Sequence, residues 1–346
     1  MALLSNTFNA FGLDIGDRSL KAVYFKKRGR DIVLKTKAQV DVPKDVFDRG
    51  ALVRPEGLKD AITNLLASCK PRIPTQYVHA CLPETHTFIK MLEFGNVDAR
   101  QLGALVREEL PRHVPLDIED SYVDWKIIPQ DNPEAVRVLA GAIPKKTSDE
   151  YTAALRLAGL VPLSLQVEAQ AMLRSLVDSN LEHTGPIAIV DLGATRSSFV
   201  LYDQGSIQFT VSIPVAGDAA TAEIADKLSL SQQEAENAKR VIGLNPSKGG
   251  GAVYRALLPM ANDLCGAIYR NRVFYGEHFA HARPVTNIML CGGGSLLPGL
   301  AETLAVMMKD TVVTHADPWL RVRENEKDEL TLSYATAIGL ALTNLV

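Results

Sequence analysis

Near the start of the chain, apolar and polar residues alternate with a period of two, which is typical of strands joined by short turns. Residues 11–26 are predicted to form two strands around the tight turn Gly16-Asp17-Arg18, and residues 31–42 a third strand. Apolar residues then recur at helical spacing over 55–69, before a strand over 77–82. The pattern predicts a sheet with helices packed against it.

Residues 86–163 change the pattern, because short strands and helices alternate there as in a compact α+β insertion. The predicted order is a strand, a helix over 99–113, strands over 121–128 and 136–143, and a helix over 148–157. A strand over 162–167 and a helix over 168–181 follow.

The second half begins with another hairpin sheet, over residues 187–213, and is then mostly helical. A long amphipathic helix is expected within 252–282, and strands are expected near 285–291 and 311–314. The uncharged segment 331–346 falls short of the roughly 20 apolar residues that a membrane-spanning helix needs. We predict a buried terminal helix there.

One sequence motif occurs twice. Leu13-Asp14-Ile15-Gly16 precedes a turn and a strand, and Val190-Asp191-Leu192-Gly193 does the same later in the chain. The repeat predicts two lobes that begin alike. We place the first lobe at 1–183, with the insertion at about 86–163, and the second at 184–346.

Composition agrees with a two-domain globular protein. The chain has 346 residues, 47% hydrophobic and 22% charged, whereas single domains usually hold roughly 100–200 residues. A formal net charge of −3 with no basic cluster argues against a nucleic-acid binder. The four cysteines form no CxxC pair, and residues 1–11 lack the basic residues of a secretory signal. We therefore expect a cytoplasmic protein.

The repeated Asp-x-Gly turns suggest a chemistry. A glycine at the mouth of a hairpin lets main-chain amides approach an anion, and a carboxylate beside those amides favours a hard cation such as Mg²⁺. A single copy is usually an ordinary hairpin, whereas two equivalent copies, at Asp14 and Asp191, favour a function. Lys21, on the strand after the first turn, offers a charge to a phosphate, or is a solvated strand lysine.

A glycine run follows the strand predicted near 285–291. Gly292-Gly293-Gly294-Ser295 lies between a strand and a helix start, where bare backbone can stack on a flat group or admit a phosphate. A flexible loop before the helix explains the run equally well. The spacing is not GxGxxG, which argues against a dinucleotide site.

In this order, the two Asp-x-Gly turns and the glycine run resemble the two phosphate loops and the adenosine loop of the actin, Hsp70 and sugar-kinase superfamily. The chain resembles the PilM family, the actin-like proteins of type IV pilus machines, over nearly its whole length. The opening from Gly12 to Lys21 is similar to that family's start, with Arg18 where a small hydroxyl residue is more usual. The segment from Glu109 to Trp125 resembles its inserted subdomain, which is also found in the division protein FtsA.

The resemblance implies an α/β architecture: an actin-like ATPase fold of duplicated ribonuclease H-like domains with an FtsA-like inserted α+β subdomain. It also implies ATP and Mg²⁺ as cofactors, clamped between the two lobes, with slow ATPase activity at most. Asp14 and Asp191 are then the metal ligands. The nucleotide-binding residues are Gly16, Asp17, Arg18, Ser19, Lys21, Gly193, Ala194, Thr195, Arg196, Glu236, Lys239, Gly292, Gly293, Gly294 and Ser295.

Three of the implied roles have plainer alternatives. Glu236 and Lys239 correspond to a superfamily pair that holds the ribose and base, although residues three apart on a helix also form ordinary ion pairs. Glu168 lies where bacterial actins carry a catalytic, water-positioning glutamate, although a carboxylate at a helix start is favoured by the macrodipole in any case.

The implied function is that of a cytoplasmic component of the type IV pilus assembly platform, peripheral at the inner membrane. Its expected partner is a PilN-like N-terminal cytoplasmic peptide beside the inserted subdomain, with PilO and the pilus motor ATPases reached indirectly. No contact with nucleic acid is expected, and membrane contact only through a protein partner.

Three alternatives remain open at this point. The first is a small-molecule kinase of the same superfamily. The second is an FtsA-like cell-division homologue, which a missing basic amphipathic tail disfavours. The third is a scaffold that has lost nucleotide binding, against which the presence of both Asp14 and Asp191 argues.

Overall fold

The computed structural model describes residues 9–48, 50–95, 97–98, 100–129, 135–178, 185–279, 281–322 and 331–346. The chain divides into two compact units. The first comprises Met1–Asp178, Pro318–Lys327 and Tyr334–Val346, and the second Ser179–Asp317 and Asp328–Ser333.

The first unit is built on a five-stranded sheet. Its elements, with the inserted ones included, are β1 (Phe11–Ile15), β2 (Ser19–Arg28), β3 (Asp31–Asp41), β4 (Phe47–Asp48), β5 (Ala51–Leu52), α1 (Pro55–Ser68), β6 (Tyr77–Leu82), β7 (Phe88–Gly95), α2 (Leu102–Glu109), β8 (Ser121–Ile128), β9 (Ala135–Pro144), α3 (Lys145–Leu157), β10 (Val161–Val167) and α4 (Glu168–Leu176). The main sheet has the order β10-β6-β1-β2-β3, in which β1 runs antiparallel to β2 and parallel to β6.

The second unit repeats this plan. Its elements are β11 (Ile187–Leu192), β12 (Ser197–Asp203), β13 (Ser206–Ile213), α5 (Gly217–Leu228), α6 (Gln232–Val241), α7 (Ala252–His278), β14 (Asn287–Cys291), α8 (Leu300–Met307) and β15 (Val312–His315). The sheet order is β13-β12-β11-β14-β15, so β11 takes the place of β1, with an antiparallel neighbour on one side and a parallel one on the other. The duplication predicted from the two Asp-x-Gly turns is therefore present in the topology.

The residues between β12 and β13 explain why these strands form a hairpin. Gln204 and Gly205 join β12 to β13 with φ values of 51° and 75°. Two successive left-handed residues are the signature of the type I′ turn, whose twist matches that of the flanking strands. On β11 and β12, the fully buried Ile189 and Val200 are paired in register at the centre of the sheet.

The insertion is smaller than predicted. Strands β7, β9 and β8 form a separate three-stranded sheet in that order, and it encloses its own core with α2, including Leu92, Val106 and Val138. Helix α3, which the predicted range 86–163 includes, belongs to the main part of the unit, as does β10, of which that range includes only the first residues. Tyr151 of α3 lies in the core formed around the main sheet, and β10 pairs in parallel with β6.

Several predicted helix bounds also change. The helix predicted over 99–113 begins at Leu102; its predicted first residue, Ala99, lies outside the described residues. Helix α4 ends at Leu176, where Val177 and Asp178 are weak helix formers; the rest of the predicted helix, as well as the predicted lobe boundary at 183/184, lies mainly among residues that are not described. Helix α7 ends at His278 rather than near 282.

From Tyr334 onwards, the terminal segment belongs to the first unit rather than to the predicted second lobe. A 3-10 turn at Thr331–Tyr334 leads into α9 (Ala335–Ala341), which is shorter than the predicted helix and buried at every position. A helix that is apolar all round needs burial on all sides. Helix α9 contacts α4 and β1, and Ala337 O lies only 2.3 Å from where a Cβ on Gly12 would be.

Candidate functional site

The first predicted turn joins β1 to β2. Gly16 N–H donates to Ser19 O at 3.1 Å, and a Cβ on Gly16 would lie 3.1 Å from the same oxygen, so the turn favours a residue without a side chain. Val42 N–H donates to Arg18 O at 2.9 Å and fixes the turn to the end of β3. The side chains of Asp17, Arg18 and Ser19 are half-buried.

Asp14 is buried, with 12% of its side chain exposed, and its carboxylate is held from both neighbouring strands. Lys21 Nζ on β2 donates to Oδ2 at 3.0 Å, and the Cys81 thiol on β6 donates to Oδ1 at 3.4 Å. The thiol also accepts Ile15 N–H at 3.2 Å. Sequence reasoning paired Lys21 with a phosphate and missed Cys81, because the contact between residues 14 and 81 depends on strand pairing.

Glu168 lies near Asp14 and Cys81. It is the first residue of α4 and is half-buried. Burial and then the negative charges of Asp14 and Glu168 raise the pKa of the Cys81 thiol well above its ordinary value. The thiol therefore stays protonated at neutral pH, and Asp14, Lys21, Cys81 and Glu168 form one polar cluster at the carboxyl ends of β1, β6 and β10.

The second predicted turn joins β11 to β12 and is closed more tightly. Gly193 N–H donates to Arg196 O at 3.0 Å, and a Cβ on Gly193 would lie 2.4 Å from that oxygen. Ala194 and Thr195 at its tip are exposed. The amides of Gly217 and Asp218, at the start of α5, donate to Gly193 O at 3.1 Å and to Ala194 O at 2.8 Å.

Glu236 and Lys239 form the ion pair that their spacing allows, at 2.6 Å on α6, and they also reach α5. Lys239 Nζ donates to Gly217 O at 2.9 Å and to Thr221 Oγ1 at 2.7 Å, and the Thr221 hydroxyl donates to Glu236 at 2.6 Å. Burial alone would raise the pKa of Glu236, but hydrogen bonds from Lys239, Thr221 and Arg240 lower it to about 2. The pair therefore lies beside the second turn.

The glycine run lies against Asp191. Gly292 has φ 79°, and a Cβ there would lie 2.1 Å from Asp191 Oδ1. A Cβ on Gly294 would lie 2.9 Å from Leu192 O, whereas Gly293 has more space. Ser295 is fully buried and its hydroxyl donates to Gly292 O at 2.7 Å, so it closes the loop from within. Gly292 and Gly294 are required because the loop packs on the end of β11.

A thiol also lies beside Asp191. Cys291 is the register partner of Asp191 on the parallel strand β14 and is fully buried. Burial, the charge of Asp191 and a hydrogen bond to it raise the pKa of the Cys291 thiol well above its ordinary value. Sequence reasoning missed this residue also, although it directly precedes the glycine run.

The residues fit a magnesium ion that is bound mostly by phosphate and water. In the part of the chain that the structure describes, no three or more His, Cys, Asp or Glu residues are grouped to hold a metal by themselves. Mg²⁺ in nucleotide sites commonly takes one or two protein carboxylates and keeps several waters. Asp14 and Asp191 supply one carboxylate in each unit.

The predicted site residues thus form two sets, one in each unit. The first contains Asp14, the turn 16–19, Lys21 and Glu168; the second contains Asp191, the turn 193–196, Glu236, Lys239 and the glycine run.

Within the described ranges, no helix is long and apolar enough to cross a membrane.

Comparison with solved structures identifies the fold. The chain is similar to a chain of the PilM-PilN type IV pilus biogenesis complex, with 26% identity and a TM-score of 0.84, covering 98% of this chain and 99% of that one. It is also similar to the ethanolamine utilization protein EutJ from Carboxydothermus hydrogenoformans, with 14% identity, a TM-score of 0.59 and coverage of 96% and 89%.

A third similar structure is MreB5 of Spiroplasma citri bound to ADP, with 13% identity, a TM-score of 0.54 and coverage of 97% and 95%. These similarities confirm the predicted actin-like fold. A family model described as type IV pilus assembly protein PilM matches residues 12–345. The chain therefore belongs to the PilM family of type IV pilus assembly proteins.

Proposed function

We propose that this protein binds ATP with Mg²⁺, with Asp14 and Asp191 as the metal ligands. The observation that carries the proposal is the duplication. Each unit has its own five-stranded sheet of the same plan, with an aspartate near the end of the central strand and a glycine-closed turn after it. The ADP-bound MreB5 structure, which has the same fold, supports a nucleotide as the ligand.

The surrounding residues have distinct roles in this proposal. The carboxylates of Asp14 and Asp191 would hold the metal ion, and Lys21 would offer its charge to a phosphate. The turns at 16–19 and 193–196 present main-chain amides and short polar side chains to the phosphates. Glu236 and Lys239 bind the ribose and base, and the bare backbone of 292–294 lies along the adenosine.

Glu168 orients water for a slow hydrolysis. Its carboxylate is at the start of α4, close to the Asp14 cluster. Because phosphoryl transfer depends on positioning and electrostatics, a carboxylate at this position can act by orienting the attacking water.

The bound nucleotide controls how well the protein binds a partner. A ligand shifts a conformational equilibrium only by its differential affinity for the states, so the bound nucleotide becomes a signal when one state also binds the partner better. Membership of the PilM family and the similarity to a PilM-PilN complex support a PilN-like N-terminal cytoplasmic peptide as that partner. PilO and the pilus motor ATPases would be reached through it, from the cytoplasmic face of the inner membrane.

The test is titration calorimetry of ATP with Mg²⁺. Replacing Asp14 or Asp191 by Ala should weaken binding more than tenfold, about 1.4 kcal/mol, because each change removes a metal ligand. Asp310→Ala is the matched control, since this exposed aspartate pairs with Arg272 far from the turns in sequence. Wild-type affinity in both Asp14→Ala and Asp191→Ala would contradict the proposal.

A further inference from the structure

Each aspartate of the duplicated turns has a buried cysteine on the neighbouring parallel strand. The register of β1 with β6 ends at Leu13 and Ala80, which places Asp14 beside Cys81, and β11 pairs Asp191 with Cys291 on β14. Both cysteines are 0% exposed. The thiol–carboxylate pair is thus repeated along with the sheet.

In the first unit, the two neighbouring strands hold different oxygens of the carboxylate. The Cys81 thiol donates to Oδ1 at 3.4 Å, and Lys21 Nζ donates to Oδ2 at 3.0 Å. The sulfur is itself fixed, because it accepts Ile15 N–H at 3.2 Å. The plane of the carboxylate is therefore set from both sides.

In the second unit a thiol again lies beside the aspartate on the parallel strand, but the residue on the antiparallel strand differs. Cys291 hydrogen-bonds to Asp191, whereas the antiparallel partner of Asp191 is Ser198, in the place that Lys21 takes opposite Asp14. The register therefore places a thiol beside both aspartates, whereas lysine and serine alternate at the antiparallel position. Gly292, which follows Cys291, has no Cβ that would displace the carboxylate.

We propose that Cys81 and Cys291 are positioning residues, which donate their S–H groups to Asp14 and Asp191 and hold each carboxylate in one orientation towards the metal-bound nucleotide. The inference rests on the proposed function. A thiol suits this task because it is a weak donor, so it orients the carboxylate while leaving most of its charge for the metal ion. Removing the donor lets the carboxylate rotate.

Calorimetry of ATP binding, with Mg²⁺ and with EDTA, tests the role. Cys81→Ala and Cys291→Ala should weaken Mg²⁺-dependent binding roughly three- to tenfold, with unchanged affinity in EDTA, because only the metal contact is disturbed. Cys81→Ser and Cys291→Ser keep a donor and should restore most of the affinity. Cys69→Ala is the matched control: Cys69 is buried too, but its thiol donates to Leu65 O at 3.3 Å.

A second measurement needs no nucleotide. The S–H stretching region of the infrared spectrum, taken as the difference between wild type and Cys81→Ala, isolates the band of Cys81. In Asp14→Asn this band should move to higher frequency, because an amide oxygen is a weaker acceptor than a carboxylate. The Cys69 band should not move.

The outcomes separate the two proposals. An unmoved Cys81 band in Asp14→Asn overturns the thiol–carboxylate contact. Alanine variants of Cys81 and Cys291 that match Cys69→Ala in Mg²⁺-dependent affinity, in protein shown to be folded by thermal unfolding, overturn the positioning role. Wild-type protein without Mg²⁺-dependent ATP binding overturns the proposed function itself.

Discussion

Burial sets the charge of His79, on β6 two residues before Cys81. Its Nδ1 lies 2.7 Å from the Ser164 hydroxyl, and burial, followed by the positive charge of Arg174, lowers the pKa of His79 to about 4. Arg174 is held in place because it donates to Gly339 O at 2.7 Å and to Gln166 at 3.0 Å. At neutral pH the folded protein therefore has a neutral histidine at this position.

This predicts a pH-dependent stability. Between pH 6.5 and 4 the unfolded chain protonates residue 79 and the folded chain does not, so the free energy of unfolding should fall as the pH drops. From pH 7 to pH 5 we expect a loss of about 2 kcal/mol from this residue. Urea unfolding of wild type and His79→Gln at both pH values measures it, and an equal pH dependence in the two proteins would count against it.

A second prediction at this scale concerns Glu168. Glu168→Gln keeps the shape of the side chain and removes its charge, so ATP binding should persist while the rate of phosphate release falls at least tenfold. Glu302→Gln is the matched control, because Glu302 is also a carboxylate in the first turn of a helix, α8. If both variants release phosphate at the wild-type rate, Glu168 does no more than stabilise the start of α4.

At the scale of elements, small residues let α9 pack closely on its neighbours. A Cβ on Gly339 would lie 1.6 Å from Ala171 O on α4. On the other side of the helix, a Cβ on Gly12 of β1 would lie 2.4 Å from Ala341 N. Larger side chains at these positions would force the elements apart.

We therefore expect Gly339→Ala to destabilise the protein by about 3 kcal/mol, since the added methyl group meets a main-chain oxygen that cannot move alone. Gly276→Ala in α7 is the matched control. A Cβ there has no neighbour within 4 Å, and the helix should gain up to about 1 kcal/mol. Chemical denaturation compares the two, and a neutral Gly339→Ala would show that α4 and α9 can separate at little cost.

Local patterns predicted the strands well. The predicted strands 77–82 and 121–128 coincide with β6 and β8, because period-two burial and nearby turn residues are local signals. The predicted insertion range included α3, because local pattern does not show which distant elements pack together; Tyr151 of α3 lies in the core around the main sheet. The thiols beside Asp14 and Asp191 were missed for the same reason.

At the scale of the whole molecule, the insertion is one departure from the duplication. It lies between β6 and α3, whereas α8 follows β14 in the second unit after a short glycine loop. Its sheet order, β7-β9-β8, leaves β8 at an edge, and that strand carries the exposed apolar side chains of Tyr122 and Ile127, 48% and 50% accessible. An exposed strand edge with apolar side chains can pair with an extended peptide.

The last prediction is that the protein reaches a bilayer through such a peptide. Liposomes that display a PilN-like cytoplasmic peptide should sediment the wild-type protein, whereas bare anionic liposomes should not, because the peptide is the expected link to the membrane. Tyr122→Ala with Ile127→Ala should weaken sedimentation at least tenfold if β8 receives the peptide. Val241→Ala with Val306→Ala, at exposed apolar positions of the second unit, should leave it unchanged. Sedimentation with bare liposomes, or equal loss in both double variants, would contradict a peptide tether at the insertion.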